Sequence, residues 1–141
     1  MMITYEKVLV LKNIPFFTEA SELALSDLIS VCEEHTVKAD EVILEAGTEN
    51  KYLYLILSGT IHIMGSDGRL ITEVGARQVF GETTVMSPAV LPYRIISQTQ
   101  TTFLKVSGDQ LYRMMALHPS LAFGFIGELS KRIRQTQIKN L

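Results

Sequence analysis

Cysteine occurs once in this chain of 141 residues, as Cys32. One thiol cannot build an internal disulfide framework or a zinc site of several cysteines. It fits a reducing, intracellular setting. Histidine is nearly as scarce. His35, His62 and His118 are the three, and no two stand at the i, i+2 or i, i+4 spacing of paired metal ligands. An excess of positive charge is also missing. Thirteen Lys and Arg against fifteen Asp and Glu leave a formal charge of −2 and a pI near 5.9, without the basic footprint of a nucleic-acid-binding domain. The longest apolar runs, such as 53–57 and 121–126, fall far short of the ~20 residues that cross a bilayer. The first residues lack the basic start and long apolar core of a secretory signal.

What is present is a globular composition, 47% hydrophobic and 20% charged, at a length that suits one domain over 1–141. The reading is cytoplasmic. The first third carries helical periodicity. Val8, Leu11 and Ile14 predict a helix over 7–13 that Pro15 stops. A second helix is expected from Ser21, its candidate N-cap, with Leu25, Leu28, Ile29 and Cys32 on one stripe. Strand chemistry follows. Residues 36–39 alternate, Val42-Ile43-Leu44 is a short β-rich run, and 52–57 read as a buried strand. Ile61 and Ile63 alternate with polar neighbours. Ser66-Asp67-Gly68 marks a hairpin turn, with 69–74 as the returning partner. Thr, Ile and Val recur over 94–106. Seven or eight short strands with frequent turns predict a sandwich or jelly roll. The last third returns to helix. Ser107 with Gln110 reads as a capping box, ahead of a stripe of Leu111, Met114 and Met115. A further helix starts near Pro119 and extends towards Leu141, with Leu121, Phe125, Leu129 and Ile133 recurring every four residues. The fold class is mainly β with flanking helices: helix pair, β-roll, helix pair.

No catalytic constellation is legible. The histidines read as a strand edge, a solvated strand face and a helix C-terminus. Cys32 reads as a small core hydrophobe, and Glu33-Glu34 as a solvated helix face. Neither a nucleophile elbow nor a phosphate loop is present, so an enzyme is not expected. No metal is expected either. The segment 74–97 differs. Phe80-Gly81-Glu82-Thr83-Thr84 interrupts the β region, and a glycine before a short helical turn aims backbone N–H groups at an anion. Arg94 follows Glu82 by twelve residues, and a guanidinium matches phosphate oxygens bidentately. A carboxylate beside an anion site has a purpose if it accepts from sugar hydroxyls. Glycine, carboxylate, helical turn and arginine together describe a sugar-phosphate pocket. The alternative is a surface turn with a Glu–Arg ion pair.

At these residues the chain resembles the cyclic nucleotide-binding domain family, of the catabolite activator and protein kinase A regulatory subunit type. Asn13-Ile14-Pro15-Phe16-Phe17 resembles the family's opening segment. Residues 38–47 are similar to its next glycine-bearing stretch. Tyr52-Leu53-Tyr54-Leu55-Ile56-Leu57-Ser58-Gly59 resembles its buried strand, and Phe80-Gly81-Glu82 the start of its phosphate-binding cassette. Pro119 followed by Leu121 fits the break before its last helix. The resemblance implies an eight-stranded β-roll (jelly roll) with an N-terminal helical bundle and C-terminal hinge and lid helices. It implies cAMP or cGMP as ligand, cAMP being the more expected. It implies roles as well. Phe80 opens the cassette. Glu82 accepts from the ribose 2′-hydroxyl, while Gly81, Thr83 and Thr84 line phosphate and sugar. Arg94 pairs with the cyclic phosphate, and the Ile95 N–H adds a donor. Val74 faces the base, which the last helix caps through Arg134 or Gln135. The chain departs from the pattern at named positions. Asp40 and Arg77 stand where glycine is usual, and the cassette loop is two or three residues longer. Thr83 and Thr84 replace an apolar and a small residue. Ile95-Ile96 replaces small residues, and its side chains either crowd the phosphate or point into the core. Two function classes follow: a regulatory domain gated by a cyclic nucleotide, or a protein-interaction module with a degenerate pocket. The expected partners are the nucleotide, an effector protein or domain, and a second copy through the last helix. Direct DNA binding and membrane insertion are not expected.

Overall fold

Ser21 caps a helix as its position suggests: its Oγ accepts the backbone N–H of Ala24 at 3.1 Å. The computed structural model describes residues 2–140. It divides the chain into two units, one comprising the segments up to Ser30 and from Tyr112 onwards, the other Val31–Leu111.

The helical unit begins with α1 (Thr4–Lys12), a 3-10 turn (Pro15–Phe17) and α2 (Glu22–Ser30). Val8, Leu11, Phe16, Phe17, Leu25 and Leu28 form its buried side. From the C-terminal end come most of α3 (Gly108–Leu117) and all of α4 (Pro119–Lys139). The Phe125 ring packs 4.7 Å from that of Phe16, and the Arg132 guanidinium lies 4.7 Å from the same ring. His118 stands at the C-terminus of α3 as expected, its backbone N–H donating to the Met114 carbonyl at 2.8 Å, and precedes α4. Its Nε2 lies 2.8 Å from Asp27 Oδ2 on α2, an imidazole N–H donating to the carboxylate.

The β unit contains β1 (Glu33–Val37), β2 (Val42–Leu44), β3 (Glu49–Asn50), β4 (Tyr52–Ser58), β5 (Thr60–Met64), β6 (Leu70–Gly75), β7 (Val79–Phe80), β8 (Ala89–Val90), β9 (Arg94–Ser97) and β10 (Thr101–Ser107). Two four-stranded antiparallel sheets run in the orders β1-β10-β4-β7 and β2-β9-β5-β6, and β3 pairs with β8. The apolar residues facing inwards fill the roll. Tyr54, Ile56, Ile61, Ile63, Phe80 and Phe103 are at its centre. The hairpin forms where expected: Gly68 takes φ +81°, and Asp67 Oδ1 accepts the Arg69 N–H at 3.0 Å.

Several expectations are corrected here. The described residues hold ten strands where eight were expected, because β3 and β8 are two-residue pairings. The stripe through Cys32 breaks, since α2 ends at Ser30 and Cys32 is half-buried outside it. Glu33 and Glu34 lie on strand β1, not on a helix face. Ser107 Oγ accepts the Gln110 N–H at 3.2 Å, so the hydroxyl half of that cap is formed. The long last helix ends at Lys139, and Leu141 lies outside the described residues.

Candidate ligand-binding site

The segment after β7 is built around one backbone requirement. Gly81 has φ +93°, a conformation that side chains disfavour. A Cβ there would also lie 2.3 Å from the Tyr52 carbonyl oxygen. Glycine therefore lets the loop press onto the start of β4. The expected short helix is a single turn: the N–H groups of Thr84 and Val85 both donate to the Gly81 carbonyl, at 3.1 and 2.9 Å. Asn50 holds this turn in place. It is buried, and its Nδ2 donates to Thr84 Oγ1 at 2.9 Å and to the Tyr52 carbonyl at 3.0 Å. A buried amide with its hydrogen bonds made rigidifies what it touches.

The additional loop residues are structured too. β8 pairs with β3 through Glu49–Val90 and Asn50–Ala89. Gly47 N–H donates to the Leu91 carbonyl at 2.9 Å, and Leu91 N–H to that of Thr48 at 3.2 Å. The loop then returns through Tyr93, whose ring meets that of Phe80 edge-on at 6.4 Å. Burial pushes the Tyr93 phenol above its usual pKa, and the Glu82 charge adds to the shift. Glu82 thus acts on the residue adjoining Arg94, although twelve positions separate it from the arginine in sequence. Deeper in the roll, burial and then Tyr52 push the Tyr54 phenol up to about 12.

The residues singled out from the sequence divide by burial. Phe80, Gly81, Thr84, Ile95 and Val74 are buried, Glu82 is half-buried, and Thr83 and Arg94 are exposed. Phe80, Val74 and Ile95 belong to the apolar cluster inside the roll. Ile95 therefore points into the core. Arg94, one residue earlier, alternates with it and pairs across to Met64. Its Nε lies 3.3 Å from Glu45 Oε1, in the segment after β2. The Thr84 hydroxyl is taken up by Asn50 and by the Gly81 carbonyl at 3.4 Å. Arg134 and Gln135 are exposed on α4. Sequence reasoning missed Asn50, Tyr93 and Glu45. Glu45 and Arg94 are far apart in the chain, and only the pairing of β2 with β9 brings them together. Among the described residues, no group of three His, Cys, Asp or Glu is placed to hold a metal.

A model of the cyclic nucleotide-binding domain matches residues 34–118, from β1 to the start of α4. The chain belongs to the cyclic nucleotide-binding domain family. Solved members share its fold. A cyclic nucleotide-binding domain from Methylobacillus flagellatus KT is 24% identical, with TM-score 0.78, covering 96% of this chain and 81% of that one. The Thermus thermophilus catabolite activator protein is 18% identical, with TM-score 0.79, covering 89% and 61%. In sequence, the chain is similar to an uncharacterised NTE family protein of Mycobacterium tuberculosis, 18% identical over 127 residues. That match takes in 90% of this chain but 22% of the relative, so the chain spans about a fifth of the curated relatives it matches. No helix among the described residues is long and apolar enough to cross a membrane.

Proposed function

We propose that this is a non-enzymatic regulatory domain that binds a cyclic nucleotide, cAMP in preference to cGMP, and signals through movement of its C-terminal helices. The observation that carries the reading is the turn at Gly81-Glu82. It is fixed in a left-handed backbone against β4 and electrostatically coupled to Tyr93 beside Arg94. That arrangement offers a carboxylate to ribose hydroxyls and a guanidinium to phosphate, from one loop. Thr83 and the backbone of Gly81 line the same turn. The preference for cAMP rests on polar accounting. The buried polar residues of the β unit, Asn50, Thr84, Ser97 and Thr101, are hydrogen-bonded within the protein. Guanine brings one more exocyclic polar group than adenine, and each unpaired buried group costs ~1–3 kcal/mol.

The domain is cytoplasmic in this reading and passes its signal to an effector protein or a linked domain. A homodimer through α4 is part of it. That helix exposes Phe123, Ile126 and Ile133, at spacings of three and seven that line up on one face. The second reading, an interaction module that binds no nucleotide, is favoured by the Glu45–Arg94 ion pair, which occupies the only arginine of the cassette.

Calorimetric titration of cAMP and cGMP into the protein and its Arg94→Ala variant tests the proposal. A charged hydrogen bond contributes ~1.5–3 kcal/mol, so the variant should bind about 10–150-fold more weakly. Its melting temperature without ligand should change little, because an exposed ion pair contributes only ~0–1 kcal/mol. Equal affinity in the two proteins removes Arg94 from the site. Absence of binding by the folded wild-type chain leaves the interaction-module reading.

A further inference from the structure

The guanidinium assigned to the ligand phosphate already has an anion beside it. Arg94 Nε lies 3.3 Å from Glu45 Oε1, with 45% of the arginine side chain and 61% of the glutamate side chain exposed. Glu82 brings a second carboxylate to the same loop. On the cyclic nucleotide reading the site holds two carboxylates and one guanidinium, and a cyclic phosphodiester adds another negative charge. An anion seated on Arg94 comes within a few ångströms of the Glu45 carboxylate. At that separation two like charges repel appreciably even in water.

We propose that Glu45 sets the affinity of the site by acting as an internal anion, which holds Arg94 in the ligand-free protein and must be displaced or tolerated when a cyclic phosphate binds. The inference rests on the cyclic nucleotide reading above and deepens it. Glu45 is a specificity-determining residue: it disfavours every anion at Arg94. A ligand that also donates its sugar hydroxyls to Glu82 then binds better than one that brings the phosphate alone. The placement supports this role. Glu45 follows β2, and Leu44 at the end of β2 pairs with Ile95, the neighbour of Arg94. The carboxylate is thus carried to the arginine by the sheet and not by a wandering loop. Its segment is tied to the cassette again where Gly47 N–H donates to the Leu91 carbonyl.

The test is a titration of cAMP and cGMP, at low and at physiological salt, into the wild-type protein, Glu45→Gln, Arg94→Ala and the double variant. Glutamine keeps the shape and removes the charge. Glu45→Gln should bind cAMP about three- to tenfold more tightly than wild type. The gain should shrink at higher salt, because screening weakens exposed charges. In the Arg94→Ala background the same substitution should gain less than in wild type. Wild-type binding with no gain, or a loss, in Glu45→Gln overturns the inference and leaves the cyclic nucleotide reading standing. Glu45 would then orient Arg94 or stand by. Binding by Glu45→Gln where the wild type shows none supports both. Absence of binding in both proteins, each folded by circular dichroism, overturns both.

Discussion

Arg77 and Asp40 hold backbone conformations that their side chains disfavour, with φ +66° and +63°. For an L-residue the left-handed region costs ~1–2 kcal/mol, whereas glycine enters it freely. Aspartate tolerates it better than arginine, because its short polar side chain bonds locally. These two positions are also the ones where the family resemblance places glycine, so the departure was legible and its consequence is a strained backbone. Glycine loses ~0.5–1 kcal/mol to its greater freedom when unfolded, and this offsets part of the relief. Arg77→Gly should therefore stabilise the protein by ~0.5–1 kcal/mol, and Asp40→Gly by less, in urea unfolding followed by circular dichroism. A destabilised Arg77→Gly variant would show that the arginine side chain contributes more than its backbone costs. Other residues were not legible. Asn50 lies between Glu49 and Lys51 and looks like any polar loop residue. Its importance comes from burial against Thr84 and Tyr52, which no local pattern encodes.

At the scale of elements, local rules sufficed where the signal is local. Ser21, Ser107 and Asp67-Gly68 do what capping and turn chemistry require. They failed where periodicity is short or misleading. β3 and β8 are two residues each, too short to alternate. In α4 the recurrence of Leu121, Phe125, Leu129 and Ile133 every four residues suggests a single apolar stripe. An α-helix turns about 100° per residue, so steps of four drift by about 40° each. Leu121 and Phe125 are buried, Leu129 is half-buried, and Ile133 is exposed, as that drift demands. The two glycines of this helix differ in kind. A Cβ on Gly124 would lie 2.7 Å from the Phe16 carbonyl oxygen, whereas one on Gly127 meets nothing within 4 Å. Gly127→Ala should stabilise the protein by ~1 kcal/mol through helix propensity. Gly124→Ala should destabilise it by ~1–3 kcal/mol, since backbone cannot swing aside as a side chain can. Thermal melts of the two variants check this: shifts of the same sign would contradict the close approach at Gly124.

At the scale of the molecule, the order helix, β-roll, helix was readable because each class has its own hydrophobic period, and the family resemblance placed the cassette within it. The proposed coupling of a bound ligand to the helices has no local signature in the sequence. The proposed site lies wholly in the β unit, while α4 lies in the helical one. The chain passes between the two units directly after α2, between Ser30 and Val31, and within α3, where Leu111 ends one unit and Tyr112 begins the other. A ligand shifts a conformational equilibrium only by its differential affinity for the two states. A lid that responds to cAMP must therefore differ in opening free energy between free and bound protein. Gly127 and the exposed Phe123, Ile126 and Ile133 leave α4 with less to hold it than a fully buried helix has. Low local stability of this kind is characteristic of elements that move. Hydrogen exchange should then show slowed exchange over 80–94 on adding saturating cAMP, from direct contact, together with a change across 119–140. Slowing over 80–94 alone would establish binding and remove movement of α4 on the exchange timescale. A change across 119–140 that depends on protein concentration and not on cAMP would assign the helix to dimer contacts instead.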